Sequence, residues 1–224
     1  MPQATLAAVV IVYSVGMIKP DDFKEILRVR RTEFIWALVA FAGVMVVGTL
    51  KGIMWAIIAS VIGLAYQVAN PPLHVMGRKP GTNVFRPQSK EHPEDEMFPG
   101  LLILRPEGRL FFVNAEQLAH KIRHAIQGAR PSVVAMDLSA VFDLEYTALR
   151  MLVQAEKKQR EQGVRVWLVG MNPAVMAMIQ RSSLGERLGR EEMHFNLETA
   201  VGKYVAEAGT HAARETVSST QLGG

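Results

Sequence analysis

Ile53–Ala69 reads IMWAIIASVIGLAYQVA, and Asn70-Pro71-Pro72 follows it at once. The run carries no charge and no polar stripe, which is the pattern of a helix solvated by lipid. Working outward, Phe34–Leu50 is a second such run, FIWALVAFAGVMVVGTL, separated from the first only by Lys51-Gly52. Ala4–Ile18, ATLAAVVIVYSVGMI, is a third. Its 15 residues cover about 22 Å at 1.5 Å per residue, short of a ~30 Å hydrocarbon core. The expectation is three membrane helices at about 4–18, 34–50 and 53–69. The last two form a tight hairpin around Lys51-Gly52. A buried hairpin of a soluble protein is the alternative, and it would normally show a polar stripe.

Charge orients these segments. The chain has a net charge of +4, and what matters is where the bases lie. Lys19, Lys24, Arg28, Arg30 and Arg31 stand between apolar runs, and Arg78, Lys79 and Arg86 follow the last one. The positive-inside rule makes both flanks of the hairpin cytoplasmic, so the first segment arrives from the far side. A nucleic-acid patch needs aromatics interleaved with the charge, and none is visible. Small residues (Gly43, Gly48, Ala56, Ser60, Gly63) suit close helix packing in lipid. Pro20–Arg31 opens with Pro and acids and ends with bases, a helix signal. Phe23, Ile26, Leu27 and Arg30 share one face. The segment reads as an amphipathic helix on the inner membrane surface or as a solvated linking helix. The chain has no Cys, which excludes disulfides, thiolate metal sites and cysteine nucleophiles and fits a reducing compartment. Met1-Pro2-Gln3 lacks the basic start of a secretory signal.

Past residue 70 the solvent changes. Residues 71–97 read as a Pro- and charge-rich linker, and residues 98–208 as a soluble α/β domain. Phe98–Leu104 and Arg109–Val113 read as a hairpin turned at Arg105-Pro106-Glu107-Gly108. Asn114 opens a helix that ends near Gly128. Ser132–Leu138, SVVAMDL, is nearly all apolar, as in a central strand buried on both faces. A helix over about 145–162, a strand at Val164–Val169, a helix over Pro173–Arg181 capped by Asn172, and a helix over about 197–206 complete a mixed sheet with crossover helices. The stretch 209–224 is small and polar and is expected to be disordered. Residues 98–208 are expected to be well behaved alone.

At this point the chain resembles the C-terminal end of a SulP-family (sulfate permease) anion transporter: the last membrane segments followed by a STAS domain. The stretches that carry the resemblance are ATLAAVVIV, RRTEFIWALVAFAGVMVVGTLKGI, LRPEGRLFFVNAEQL and VVAMDLSAVFDLEYTALRMLVQAEKKQREQGVRVWLVG. It covers nearly all of residues 2–206. The fold class is therefore membrane α-helical segments followed by a soluble α/β STAS-like domain. The resemblance implies a family that moves sulfate, bicarbonate or related anions. Such transporters bind substrate between half-helix N-termini near the midplane, and those half-helices lie in earlier segments of the family. The chain is expected to be a fragment with no substrate-binding residues, not competent for transport alone, and Met1 an internal methionine or a truncated start. It also implies a multi-pass inner-membrane location with the STAS domain cytoplasmic. The implied partners are the lipid bilayer and the missing N-terminal segments, with a homodimer and a regulatory protein at the STAS loop left open.

The loop after the central strand is the candidate site. In STAS domains of anti-sigma-factor antagonists the matching position resembles Asp-Ser-Ser-Gly, whose first Ser is phosphorylated; phosphate at a helix start is electrostatically favoured. Here the positions hold Glu145, Tyr146, Thr147 and Ala148. Tyr146 replaces the phosphorylated Ser, so the favoured reading is structural: Asp143 or Glu145 caps the helix while Leu144 and Leu149 pack inward. Asp143, Glu145, Tyr146 and Thr147 remain the regulatory-loop candidates. His120 and His124 stand four apart, a metal-capable spacing without a third ligand. Asp137 and Asp143 read as structural carboxylates, with Asp137 bonding a neighbouring loop. No catalytic, metal or cofactor site is expected, and no nucleotide-binding motif is present. The alternative function is a membrane-tethered STAS signalling module of the antagonist kind.

Overall fold

A computed structural model describes residues 2–17, 19–29 and 31–221. Two compact units divide at Tyr66/Gln67. The first holds α1 (Pro2–Met17), α2 (Pro20–Val29), α3 (Arg31–Val47) and most of α4 (Thr49–Ala69). Ile18 and Arg30 lie outside the described residues, as do the side chains of Phe23 and Ile26, so the expected face of α2 is described only at Leu27, which is exposed.

Apolar side chains in this unit point outward: Val46 and Leu50 are 84% and 83% exposed. In water that surface would drive aggregation; in hydrocarbon it carries no cost. Among the described residues, Leu50–Ala69 is long and apolar enough to cross a membrane, while Gln3–Met17 and Phe34–Val46 are shorter apolar helices. The 21 residues of α4 make about 32 Å of helix, enough for a ~30 Å core. The break between α3 and α4 falls at Gly48, not at the expected Lys51-Gly52. Gly48 has φ +88°, a conformation that only glycine adopts cheaply. Lys51 and Gly52 lie inside α4. Gly52 serves packing instead: a Cβ there would stand 2.5 Å from Val44 Cα. Close backbone approach through small residues is how lipid-solvated helices gain contact.

The second unit begins with a difference from the sequence reading. The supposed linker contains two strands, β1 (Leu73–Arg78) and β2 (Phe85–Pro87). They pair antiparallel, and β1 pairs antiparallel with β3 (Leu101–Pro106) through Leu73↔Pro106 to Val75↔Leu104. Met76 is 1% exposed, so this stretch belongs to the domain core. Its prolines sit at the ends, where a missing N–H is tolerated. Arg86 holds Asp95 through bonds of 2.7–3.1 Å, and Arg78 holds Glu96. The two arginines of this hairpin thus hold the acids Glu94, Asp95 and Glu96 that follow it.

Beyond β3 come β4 (Arg109–Leu110), α5 (Phe112–Ala129), β5 (Val133–Asp137), β6 (Asp143–Leu144), α6 (Tyr146–Glu161), β7 (Arg165–Val169), α7 (Pro173–Gln180), α8 (Ser183–Leu188), β8 (Met193–His194) and α9 (Leu197–Gln221). Among the described residues, a six-stranded sheet runs in the order β2-β1-β3-β5-β7-β8. The β3, β5, β7 and β8 strands are mutually parallel. Alternate residues of each central strand serve opposite layers. Leu102, Leu104, Val134, Met136 and Leu168 face α5–α8. Leu101, Ile103, Val133, Ala135, Trp167 and Val169 share the other core with α9. That is the continuous apolar run expected of a doubly covered parallel sheet.

Three further readings change. Strand β4 does not form a hairpin with β3; it pairs parallel with β6. Asn114 lies inside α5 and accepts the Phe111 N–H at 3.0 Å through its side chain, the back-bonding half of a capping arrangement. The last helix continues through Gly209, where the sequence reading began a disordered tail, to Gln221. No proline interrupts 210–221, and a single glycine weakens a helix without ending it.

Candidate functional site

The segment 138–146 leaves the carboxyl end of β5 and leads into α6, and it is fixed along its length. Leu138 N–H donates to Val169 O, and Val141 N–H to Leu138 O. Ala140 O accepts from Gly108 N–H, and Glu145 N–H donates to Leu110 O at 2.8 Å. The Asn172 carboxamide, whose Oδ1 caps α7 by accepting Val175 N–H, donates through Nδ2 to Val141 O and Phe142 O. Arg109 Nε pairs with Asp143 at 2.8 Å. These bonds tie the segment to β4, β7 and the start of α7.

Beside it lies a crevice of about 460 Å³ at the carboxyl ends of the parallel strands, lined by Arg105, Asp137, Ser139, Asn172 and Phe195 among others. Its base is an ion pair. Asp137, with a side chain 2% exposed, accepts from Arg105 at 2.6 Å and 2.7 Å and from the Ser139 N–H at 3.0 Å. Nε and Nη2 of Arg105 converge on one carboxylate oxygen, Oδ2, while Oδ1 takes the Ser139 N–H, so both oxygens are held. Sequence reading gave Asp137 a loop partner, which is Ser139, but missed Arg105. That arginine comes from the neighbouring strand, 32 residues away, and strand order is not visible in a single sequence.

The predicted loop residues separate into two kinds. Leu144 and Leu149 are buried, as expected. Neither carboxylate caps α6: Glu145 stands at the cap position without a side-chain bond to the helix, and Asp143 is turned to Arg109. Tyr146 and Thr147, in the first turn of α6, are exposed. Asp137 and Asp143 each pair with a different arginine. His120 and His124 are exposed on α5, and no cluster of metal-ligating side chains occurs among the described residues. Phe112 and Phe142, which sequence reading passed over, are 63% and 67% exposed beside the same loop.

Electrostatic perturbation lies elsewhere in the domain. Hydrogen bonds from Arg86 hold the Asp95 carboxyl below its usual range, and the same bonds raise Arg86. Burial pushes His194 down, helped by Lys203 and opposed by Glu207. Its ring packs 4.8 Å from that of Trp167. Burial raises Glu192, opposed by Arg160. These groups stabilise the β2 edge and the α9 layer and stand outside the loop.

Comparison with known proteins fits this geometry. Residues 92–200 match the STAS domain family. The chain is 26% identical to sulfate transporter 1.1 of Arabidopsis thaliana, over 96% of this chain and 34% of that one. The chain carries a STAS domain and is similar to sulfate transporters along nearly its whole length. High affinity sulfate transporter 2 of Stylosanthes hamata is 24% identical over 91% of this chain and 32% of its own. The chain therefore spans about a third of the length of those relatives. Among solved structures, the murine solute carrier 26 family member A9 anion transporter, in its inward-facing state, has a TM-score of 0.67 at 16% identity. It covers 85% of this chain, with 31% of its own length matched. That likeness establishes a shared fold.

Proposed function

We propose that this chain is the C-terminal end of a secondary inorganic-anion transporter of the sulfate-permease type: its last membrane helices and a cytoplasmic STAS regulatory domain. One observation carries the reading. Similarity to sulfate transporters runs through both units, over 96% of the chain, rather than through the STAS domain alone. The helices anchor and the STAS domain regulates; the chain performs no catalysis and does not move anions by itself. The β6–α6 edge, with Asp143, Glu145, Tyr146 and Thr147, is its regulatory surface. The Lys19–Arg31 bases and Arg78–Lys79 favour the cytoplasmic side for that surface.

Membrane fractionation of the expressed chain, followed by an alkaline carbonate wash, tests the reading. The chain is expected to stay in the pellet. A single introduced cysteine at Gln162 is expected to react with a membrane-impermeant maleimide only after the cells are opened. Release by carbonate, or labelling of intact cells, would overturn the assignment.

A further inference from the structure

Helices α5 and α6 do not close fully on each other or on the sheet beneath them. Two cavities of about 40 Å³ each remain there. Ile122 of α5 and Leu152, Ala155 and Gln159 of α6 line both, so the two spaces meet at these residues. The first runs past Met151 to Ala148, beside Thr147 in the first turn of α6. The second lies over Met136 of β5. Each has room for about three water-sized groups.

One polar atom interrupts these apolar walls. Gln159 is 7% exposed, and its Oε1 is buried without a hydrogen-bond partner among the described residues. The other polar side chains of the lining are paired or face water. Glu156 is held by Arg160 at 2.7 Å and by Arg187 at 2.8 Å, and Arg123 is exposed. A buried acceptor left unpaired is costly, and a helix that needed only an apolar contact would carry Leu or Met at this position. Water is a poor occupant of such a space, because a buried water makes about three hydrogen bonds.

We propose that the gap between α5 and α6 binds a short aliphatic alcohol, whose hydroxyl donates to Gln159 Oε1 while its alkyl arms fill the two cavities. Selection follows from the single acceptor. A hydrocarbon leaves Oε1 unpaired. A ketone, an ether or an ionised carboxylate sets a second acceptor against it. An ammonium group donates but brings a charge among Leu, Ile, Met and Ala side chains. A hydroxyl supplies the donor without a charge. An apolar pocket with one placed polar group is the common form of a small-molecule site.

The full chain in detergent, with isotope-labelled methionine methyl groups, is titrated with dipropylcarbinol and with dipropyl ketone, which share one carbon skeleton. NMR signals of Met151 and Met136 report the two cavities. Met76, in the core on the other face of the sheet, is the reference. The alcohol is expected to shift Met151 and Met136 saturably, to leave Met76 in place, and to bind about tenfold tighter than the ketone. Gln159→Met keeps the apolar contact and removes the acceptor, and is expected to bind the two molecules equally. The proposal is overturned if the alcohol gives no saturable shift at Met151 and Met136, or if the unsubstituted chain binds both molecules equally. A preference for the alcohol that survives Gln159→Met overturns it as well. Loss of the Met76 signal would reveal a Gln159→Met chain that fails to fold, and the comparison in the unsubstituted chain then decides alone.

Discussion

Replacing Arg105 with Met removes one member of the ion pair at the base of the crevice. The Asp137 carboxylate would remain, with a side chain 2% exposed and only the Ser139 N–H as donor. Removing one partner of a buried pair costs about 3–5 kcal/mol, because a charge is left without compensation. Arg105 is itself 23% exposed, so water reaches part of this pair and the lower figure, about 3 kcal/mol, applies. For a domain of this size that corresponds to a fall in Tm of about 6–12 °C. The diagnostic measurement is a second substitution. Asp137→Asn alone keeps the Ser139 bond and removes the charge, at about 1–1.5 kcal/mol. Added to Arg105→Met, it removes the stranded charge and is expected to recover stability. Urea unfolding of residues 67–224 followed by Trp167 emission reads all four proteins. The reasoning is refuted if Arg105→Met costs under about 1 kcal/mol, or if the double variant is less stable than Arg105→Met.

Further outcomes test other parts of the structure. Residues 98–208 alone lack β1, so Met76 is lost from the core and the β3 edge is bare; size-exclusion chromatography is expected to find aggregates there and a monodisperse protein for residues 71–208. Because burial depresses His194 from its ordinary 6.5, the unfolded chain binds this proton first. Stability of residues 67–224 is then complete above pH 6.5 and falls as pH drops toward the depressed value. Glu192, raised from 4.5, contributes an opposite slope just above that value, so comparing wild type with His194→Gln isolates the histidine; equal slopes would exclude it. Gly52→Ala forces a Cβ against Val44 backbone at 2.5 Å and is expected to cost about 1–3 kcal/mol of hairpin packing. In detergent its α3–α4 cysteine cross-linking should drop, whereas Gly43→Ala, with nothing within 4 Å, should leave it unchanged.

Much of this protein was written locally. Uncharged runs at 34–50 and 53–69 require helices wherever lipid is the solvent, since only internal hydrogen bonding satisfies their backbone. Val133–Asp137 is apolar at nearly every position because it is covered on both faces, and Asn172-Pro173 sets the start of α7 through its own side chain and ring. Leu144 and Leu149 were legible as core for the same reason. Tertiary structure decided the rest, because pairing is non-local. A sequence cannot say that β1, within a Pro-rich stretch, completes the edge of β3, or that β4 passes over its neighbour to join β6. The same holds for the site. The types and order of Asp137, Asp143 and Tyr146 were visible, but the arginine each carboxylate meets is chosen by strand order. The exposed ring of Phe142 comes from the fixing of its loop by Asn172. Local chemistry specifies which elements form, and long-range packing, which alone offsets the entropy of closing those loops, specifies what they meet.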